Sequence, residues 1–140
     1  MLLASLAASA ALACSPAAAQ HAAASLVAAN GFHGVDTVIC HDVTGDRRTD
    51  MVVTFASGGT AGDVAWAVWR ATPAGWRLAF AQLHAYQMRL ALSGNDLVEI
   101  QPIYRKQDPN CCPTGGLEHR RFRWNGRTFT VARSWHTAAP

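Results

Sequence analysis

The sequence has little charge, and its positive charge comes almost entirely from arginine. Charged residues occupy 15% of the 140 positions, below the roughly 25% of typical soluble domains. Lys106 is the only lysine, and the formal net charge is only +3. Nucleic-acid-binding proteins usually carry far denser basic clusters. We therefore expect no nucleic-acid partner.

No lysine or arginine precedes Arg47, and the apolar run over residues 2–13 is too short to span a bilayer. This run has instead the length of the apolar region of an export signal, which we predict over residues 1–19. An Ala-x-Ala cleavage site at 17–19 would release a secreted domain. A second interpretation uses residues 11–14.

The segment Ala11-Leu12-Ala13-Cys14 approximates a lipobox, in which Cys14 is acylated and anchors the protein to the membrane. Both interpretations predict an extracytoplasmic location, either membrane-anchored in the cell envelope or secreted. Disulfides persist in such compartments.

After the signal, the pattern predicts an alanine-rich tether or short helix over residues 20–31 and a single β-rich domain over residues 32–140. The strongest hairpin signal is Asn125-Gly126, which separates two aromatic-rich runs. Predicted strands cover residues 38–40, 51–55, 64–69, 76–83, 86–92, 97–104, 119–124 and 128–135. The expected fold is mainly β, an antiparallel meander or small sandwich of about eight strands.

An acidic loop is predicted between the first two strands. Oxygen-bearing side chains stand at alternate positions of this loop and at its end, in Asp42, Thr44, Asp46 and Asp50. Hard cations such as Ca²⁺ select this arrangement, which resembles the calcium loops of FG-GAP β-repeat proteins. Arg47 stands where those loops have a turn glycine. The alternative is a surface turn in which Asp42 and Asp46 cap backbone amides and Asp50 pairs with Arg47 or Arg48.

The cysteines predict one long-range disulfide. If Cys14 is acylated or removed, Cys40, Cys111 and Cys112 remain, which is an odd number. A Cys111–Cys112 bond requires a strained ring, so we expect Cys40 to pair with Cys111 or Cys112. The sequence does not rank these two partners.

The unpaired cysteine of that scheme raises an enzymatic alternative. A hydrolase or redox protein would use Cys111 or Cys112 with a nearby histidine. The sequence contains no nucleophile-elbow or protease motif. We therefore predict no catalytic residues and favour a protein that is not an enzyme.

The last predicted hairpin is rich in arginine. Strand alternation places His119, Arg121 and Arg123 on one face, opposite the face that carries Phe122. We predict that this basic strip is a partner surface for an anionic envelope component or an acidic protein. Such an interaction weakens with salt.

The block from Asp108 to Gly115, DPNCCPTG, together with the acidic loop and the Ser57–Asp63 segment SGGTAGD, resembles the LppP/LprE family of bacterial lipoproteins over residues 35–135. The resemblance implies a cell-envelope lipoprotein and transfers no catalytic residue. The expected function is an exported, lipid-anchored, non-enzymatic binding or structural module. The alternatives are the cysteine-dependent enzyme and a calcium-stabilised structural domain.

Overall fold

The computed structural model describes residues 12–139, which form one helix and eight strands. In chain order these are α1 (Pro16–Asn30), β1 (Gly34–His41), β2 (Asp50–Ala56), β3 (Asp63–Thr72), β4 (Gly75–Gln82), β5 (Arg89–Ser93), β6 (Asp96–Pro102), β7 (Leu117–Trp124) and β8 (Phe129–Thr137). Residues 1–11 of the predicted export signal lie outside the described part of the chain.

The strands form two antiparallel meanders of four strands each, in the orders β1-β2-β3-β4 and β5-β6-β7-β8. The predicted mainly β fold of about eight strands is therefore confirmed. The β7–β8 turn lies at Asn125-Gly126. The Asn125 side-chain oxygen accepts hydrogen bonds from the backbone N–H groups of Arg127 and Thr128. Gly126 has a φ of 97°, which explains the glycine at this position.

The core lies on both faces of the first sheet. Alternate residues of β3 explain this, because Trp66 and Val68 pack with Leu97 and Phe122 of the second sheet. On the other face, Trp69 and the alanines of β3 pack against α1. The apolar run of β3 thus forms a central strand with two buried faces, as predicted.

The alanine-rich segment forms helix α1, which begins four residues before the predicted segment. The Ser15 hydroxyl accepts a hydrogen bond from the backbone N–H of Ala18, and Gly31 ends the helix in a left-handed conformation. Ala19 and Ala23 are fully buried on the first sheet, so the tether alternative is wrong. Within residues 12–139, no helix is long and apolar enough to cross a membrane.

Cys14 is bonded to Cys40, and the predicted pairing of Cys40 with Cys111 or Cys112 is wrong. The prediction failed because it removed or acylated Cys14, whereas α1 places this residue beside β1. The same sulfur cannot carry a lipid while it forms this bond, so acylation of Cys14 and the Cys14–Cys40 bond exclude each other; the acylation stays a prediction. Cleavage after Ala19 would remove both Cys14 and the first turn of α1.

Cys111 and Cys112 are bonded to each other. The loop that carries them is held instead by Asp108, whose carboxylate accepts hydrogen bonds from the Arg105 backbone N–H and from both the backbone N–H and the hydroxyl of Thr114. Among residues 12–139 no cysteine is free. Both sulfurs that the enzymatic alternative names are therefore in the disulfide form in this structure.

Candidate metal centre

The acidic loop connects β1 to β2 and is organised by Asp42. One oxygen of this carboxylate accepts hydrogen bonds from the backbone N–H groups of Thr44 and Gly45 at 3.2 and 2.7 Å, and the other accepts one from Arg47 at 2.9 Å. Burial raises the pKa of Asp42, but these backbone bonds outweigh it and lower the pKa below its ordinary value. The loop is thus folded around an ionised carboxylate.

Asp50 is the first residue of β2 and is fully buried. Its Oδ2 accepts three hydrogen bonds, from the backbone N–H groups of Val43 and Thr44 and from the Thr44 hydroxyl, at 2.9 to 3.0 Å. Its Oδ1 is also buried, yet within residues 12–139 it has no hydrogen-bond partner. Buried polar atoms almost always have a hydrogen-bond partner, so the missing partner of this oxygen requires an explanation.

Burial raises the pKa of Asp50 above its ordinary value. Hydrogen bonds from Val43 and Thr44 oppose this rise, whereas the charges of Asp46 and Asp42 add to it. The carboxylate therefore sits where a negative charge is unfavourable unless a positive charge lies nearby.

Asp46 lies on the exposed side of the loop and forms an ion pair with Arg70 of β3 at 3.2 Å. The predicted capping of backbone amides by Asp42 and Asp46 is confirmed. The predicted pairing of Asp50 with Arg47 or Arg48 is wrong, because within the described chain neither guanidinium forms an ion pair with these carboxylates. Both residues contribute backbone N–H groups instead, Arg47 to Asp42 and Arg48 to Asp46.

The three carboxylates converge, as the sequence predicts. Asp42, Asp46 and Asp50 each present one oxygen, and these oxygens lie within 4.8 Å of one another. Opposite oxygen ligands of one Ca²⁺ stand about 4.8 Å apart, so the spacing of the three oxygens is compatible with a shared cation.

The turn keeps a glycine-like conformation at Arg47, which has a φ of 64°. This left-handed conformation is unfavourable for a residue with a Cβ atom. Arg47 thus has the left-handed conformation that the expected turn glycine would favour, although the glycine is absent. The Thr44 hydroxyl donates a hydrogen bond to Asp50 Oδ2, and its role as a calcium ligand stays a prediction.

The predicted basic strip is only partly available. Strand alternation is as expected, with Phe122 buried and Arg123 exposed. However, Arg121 and Arg123 both bind Asp96, at 2.7 and 2.9 Å. Their hydrogen bonds and charges lower the pKa of Asp96 against the opposing effect of burial, which is the largest single effect. His119 stacks on Trp135 with ring centroids 4.9 Å apart.

The sequence reasoning missed Arg70 as the partner of Asp46. The turn Thr72-Pro73-Ala74-Gly75 fixes only the hairpin register, which places Arg70 opposite Arg77. No local pattern places Arg70 next to the acidic loop, because that contact joins residues 24 positions apart.

Comparisons with family models, with curated proteins and with solved structures find no match for this chain. The resemblance to LppP/LprE lipoproteins stays a prediction that rests on the motifs quoted above.

Proposed function

We propose that this protein is a non-enzymatic, extracytoplasmic structural domain whose acidic loop binds Ca²⁺ and is stabilised by it. The observation that carries the proposal is the buried Oδ1 of Asp50, which has no partner in the described chain although it belongs to a cluster of three carboxylates. A cation among these oxygens would satisfy this atom and compensate the three negative charges together.

The donor set favours calcium over softer metals. The oxygens come from Asp42, Asp46 and Asp50, and oxygen ligands suit hard cations such as Ca²⁺ and Mg²⁺. Mg²⁺ requires a near-ideal octahedron with short bonds, whereas Ca²⁺ accepts irregular shells of six to eight oxygens. Hydrogen bonds from backbone N–H groups already fix the carboxylates of Asp42 and Asp50. Because these ligands cannot rearrange into an octahedron, Ca²⁺ is the better fit. Waters and Asp46 would complete its shell.

The two disulfides support an extracytoplasmic site of action, because such bonds persist in oxidising compartments. Calcium sites of extracellular modules have dissociation constants of about 10⁻⁴ to 10⁻³ M. The resemblance to envelope lipoproteins points the same way.

The test is the thermal stability of the purified protein in EDTA and in excess CaCl₂. With a dissociation constant near 10⁻⁴ M and about 10 mM calcium, mass action contributes about 2.7 kcal/mol. For a domain of this size we expect the melting temperature to rise by about 10 °C. MgCl₂ at the same concentration should produce a clearly smaller rise.

The matched variants are Asp46→Asn, which removes one carboxylate of the cluster, and Glu118→Gln, which removes a half-exposed carboxylate on β7. We expect the first to lose most of the calcium-dependent rise and the second to keep all of it. A parent protein that melts at the same temperature in EDTA and in calcium would refute the proposal.

A further inference from the structure

Four arginines from three separate segments line one open cavity of about 430 Å³ beside the acidic loop. We call this cavity the arginine groove; its charged lining consists of Arg48, Arg70, Arg77, Arg127 and a single carboxylate, Asp46. The β1–β2 loop, the β3–β4 hairpin and the β7–β8 turn supply these side chains. Tertiary structure therefore gathers the positive charge here.

Most of this charge is uncompensated within the protein. Arg70 and Arg77 are directly opposite partners in the pairing of β3 with β4, and like charges at such positions repel. Asp46 pairs with Arg70. Among residues 12–139, the other three arginines of the groove form no ion pair.

Arg70 supplies a second, independent observation. Its Nε is buried and has no hydrogen-bond acceptor among the described residues. Its guanidinium lies 5.1 Å from the ring centroid of Trp124, a contact that holds the group in place. The Arg70 guanidinium is therefore held in the cavity wall together with three further cations, a lining that suits an anionic ligand.

We propose that the arginine groove binds a small phosphorylated molecule through its phosphate group. A phosphate monoester carries about −1.5 to −2 charges at neutral pH, which suits four arginines opposed by one aspartate. Guanidinium groups bind phosphate oxygens in pairs, with defined geometry. The cavity volume falls in the range of small-molecule sites and leaves room for an organic part beside Pro73 and Leu78.

The experiment is isothermal titration calorimetry of the full chain with glucose 6-phosphate, inorganic phosphate and glucose, in EDTA and at low ionic strength. We expect glucose 6-phosphate to bind and glucose to give no signal. Affinity should fall as NaCl is raised, because the attraction is screened. Inorganic phosphate should compete with glucose 6-phosphate for the same site.

Two variants locate the site. Arg77→Gln and Arg127→Gln should each weaken glucose 6-phosphate binding by about tenfold, the usual effect of losing a charged hydrogen-bond donor. The matched control is Arg133→Gln on β8, whose guanidinium lies over Trp135; it should change affinity less than about twofold. Melting curves of all three variants verify folding.

Unchanged affinity in both groove variants would overturn the proposal, and so would equal binding of glucose. Binding to phosphatidylglycerol vesicles without binding to the soluble probes would also overturn it. Because EDTA is present throughout, the outcome is independent of the calcium site. A protein that is not stabilised by calcium can still bind glucose 6-phosphate, and a protein that is stabilised by calcium can fail to bind it.

Discussion

The substitution Asp50→Asn distinguishes between two explanations of the acidic loop: a calcium site, and a loop that is stable without a cation. Asparagine keeps an oxygen that accepts the hydrogen bonds of Val43 and Thr44, and it replaces the unpartnered Oδ1 by an NH₂ group. That group can donate to the neighbouring carboxylates of Asp42 and Asp46. The substitution therefore removes one negative charge with little change of shape.

The expected effect has opposite signs with and without calcium. The three carboxylate oxygens lie within 4.8 Å of one another, and two charges at that limit repel by about 1 kcal/mol in water and about 3.5 kcal/mol at an effective dielectric constant of 20. In EDTA we expect Asp50→Asn to stabilise the protein by about 1–2 kcal/mol. In 10 mM calcium the parent gains about 2.7 kcal/mol, whereas the variant gains little. The order of stabilities then reverses.

The pH dependence provides an independent check of the same carboxylate. The pKa of Asp50 is raised in the folded state, mainly by burial, so the folded protein holds this proton more tightly than the unfolded chain. Without calcium, ionisation of Asp50 thus lowers stability as pH rises from the ordinary pKa of 3.8 to the raised value. Asp50→Asn should lack this loss.

The assay is urea unfolding at 25 °C, in EDTA and in calcium, with Glu118→Gln as the charge-matched control. The control should leave the calcium increment unchanged. The reasoning is refuted if Asp50→Asn is destabilised in EDTA and keeps the full calcium increment. In that case the charge of Asp50 holds the loop directly, and no cation is needed.

Three further outcomes follow from the structure. Replacing Cys14 and Cys40 together by serine should destabilise the protein by about 3.5 kcal/mol in urea unfolding, since the bond closes a loop with a sequence separation of 26; a loss below 1 kcal/mol would contradict this. Arg47→Gly should raise the unfolding free energy by about 1 kcal/mol, because glycine accepts the φ of 64° without strain, and a decrease would count against the turn geometry. The pKa of Asp108 is lowered, first by the backbone N–H of Arg105 and then by that of Thr114, so its stabilisation is present above pH 3.8 and lost as pH falls through the lowered pKa. Asp108→Asn should flatten the acid limb of the stability profile, and an unchanged limb would refute this.

Local patterns were sufficient to predict the strands and the acidic loop. Asn125-Gly126 set the turn that joins β7 to β8, because a turn depends on neighbours in the chain. Asp42, Asp46 and Asp50 converge for the same reason, since they share one short loop. The central position of β3 also followed from its continuous apolar run.

Contacts between distant segments were decided only by tertiary structure. Cys14 meets Cys40 because α1 docks on the first sheet, and the burial of Ala19 and Ala23 that fixes this docking is not visible in an alanine-rich sequence. Asp96 forms ion pairs with both Arg121 and Arg123 because β6 and β7 are neighbours in the second sheet. The sequence places arginines along the chain, but their net charge at a surface depends on which carboxylates the fold brings to them.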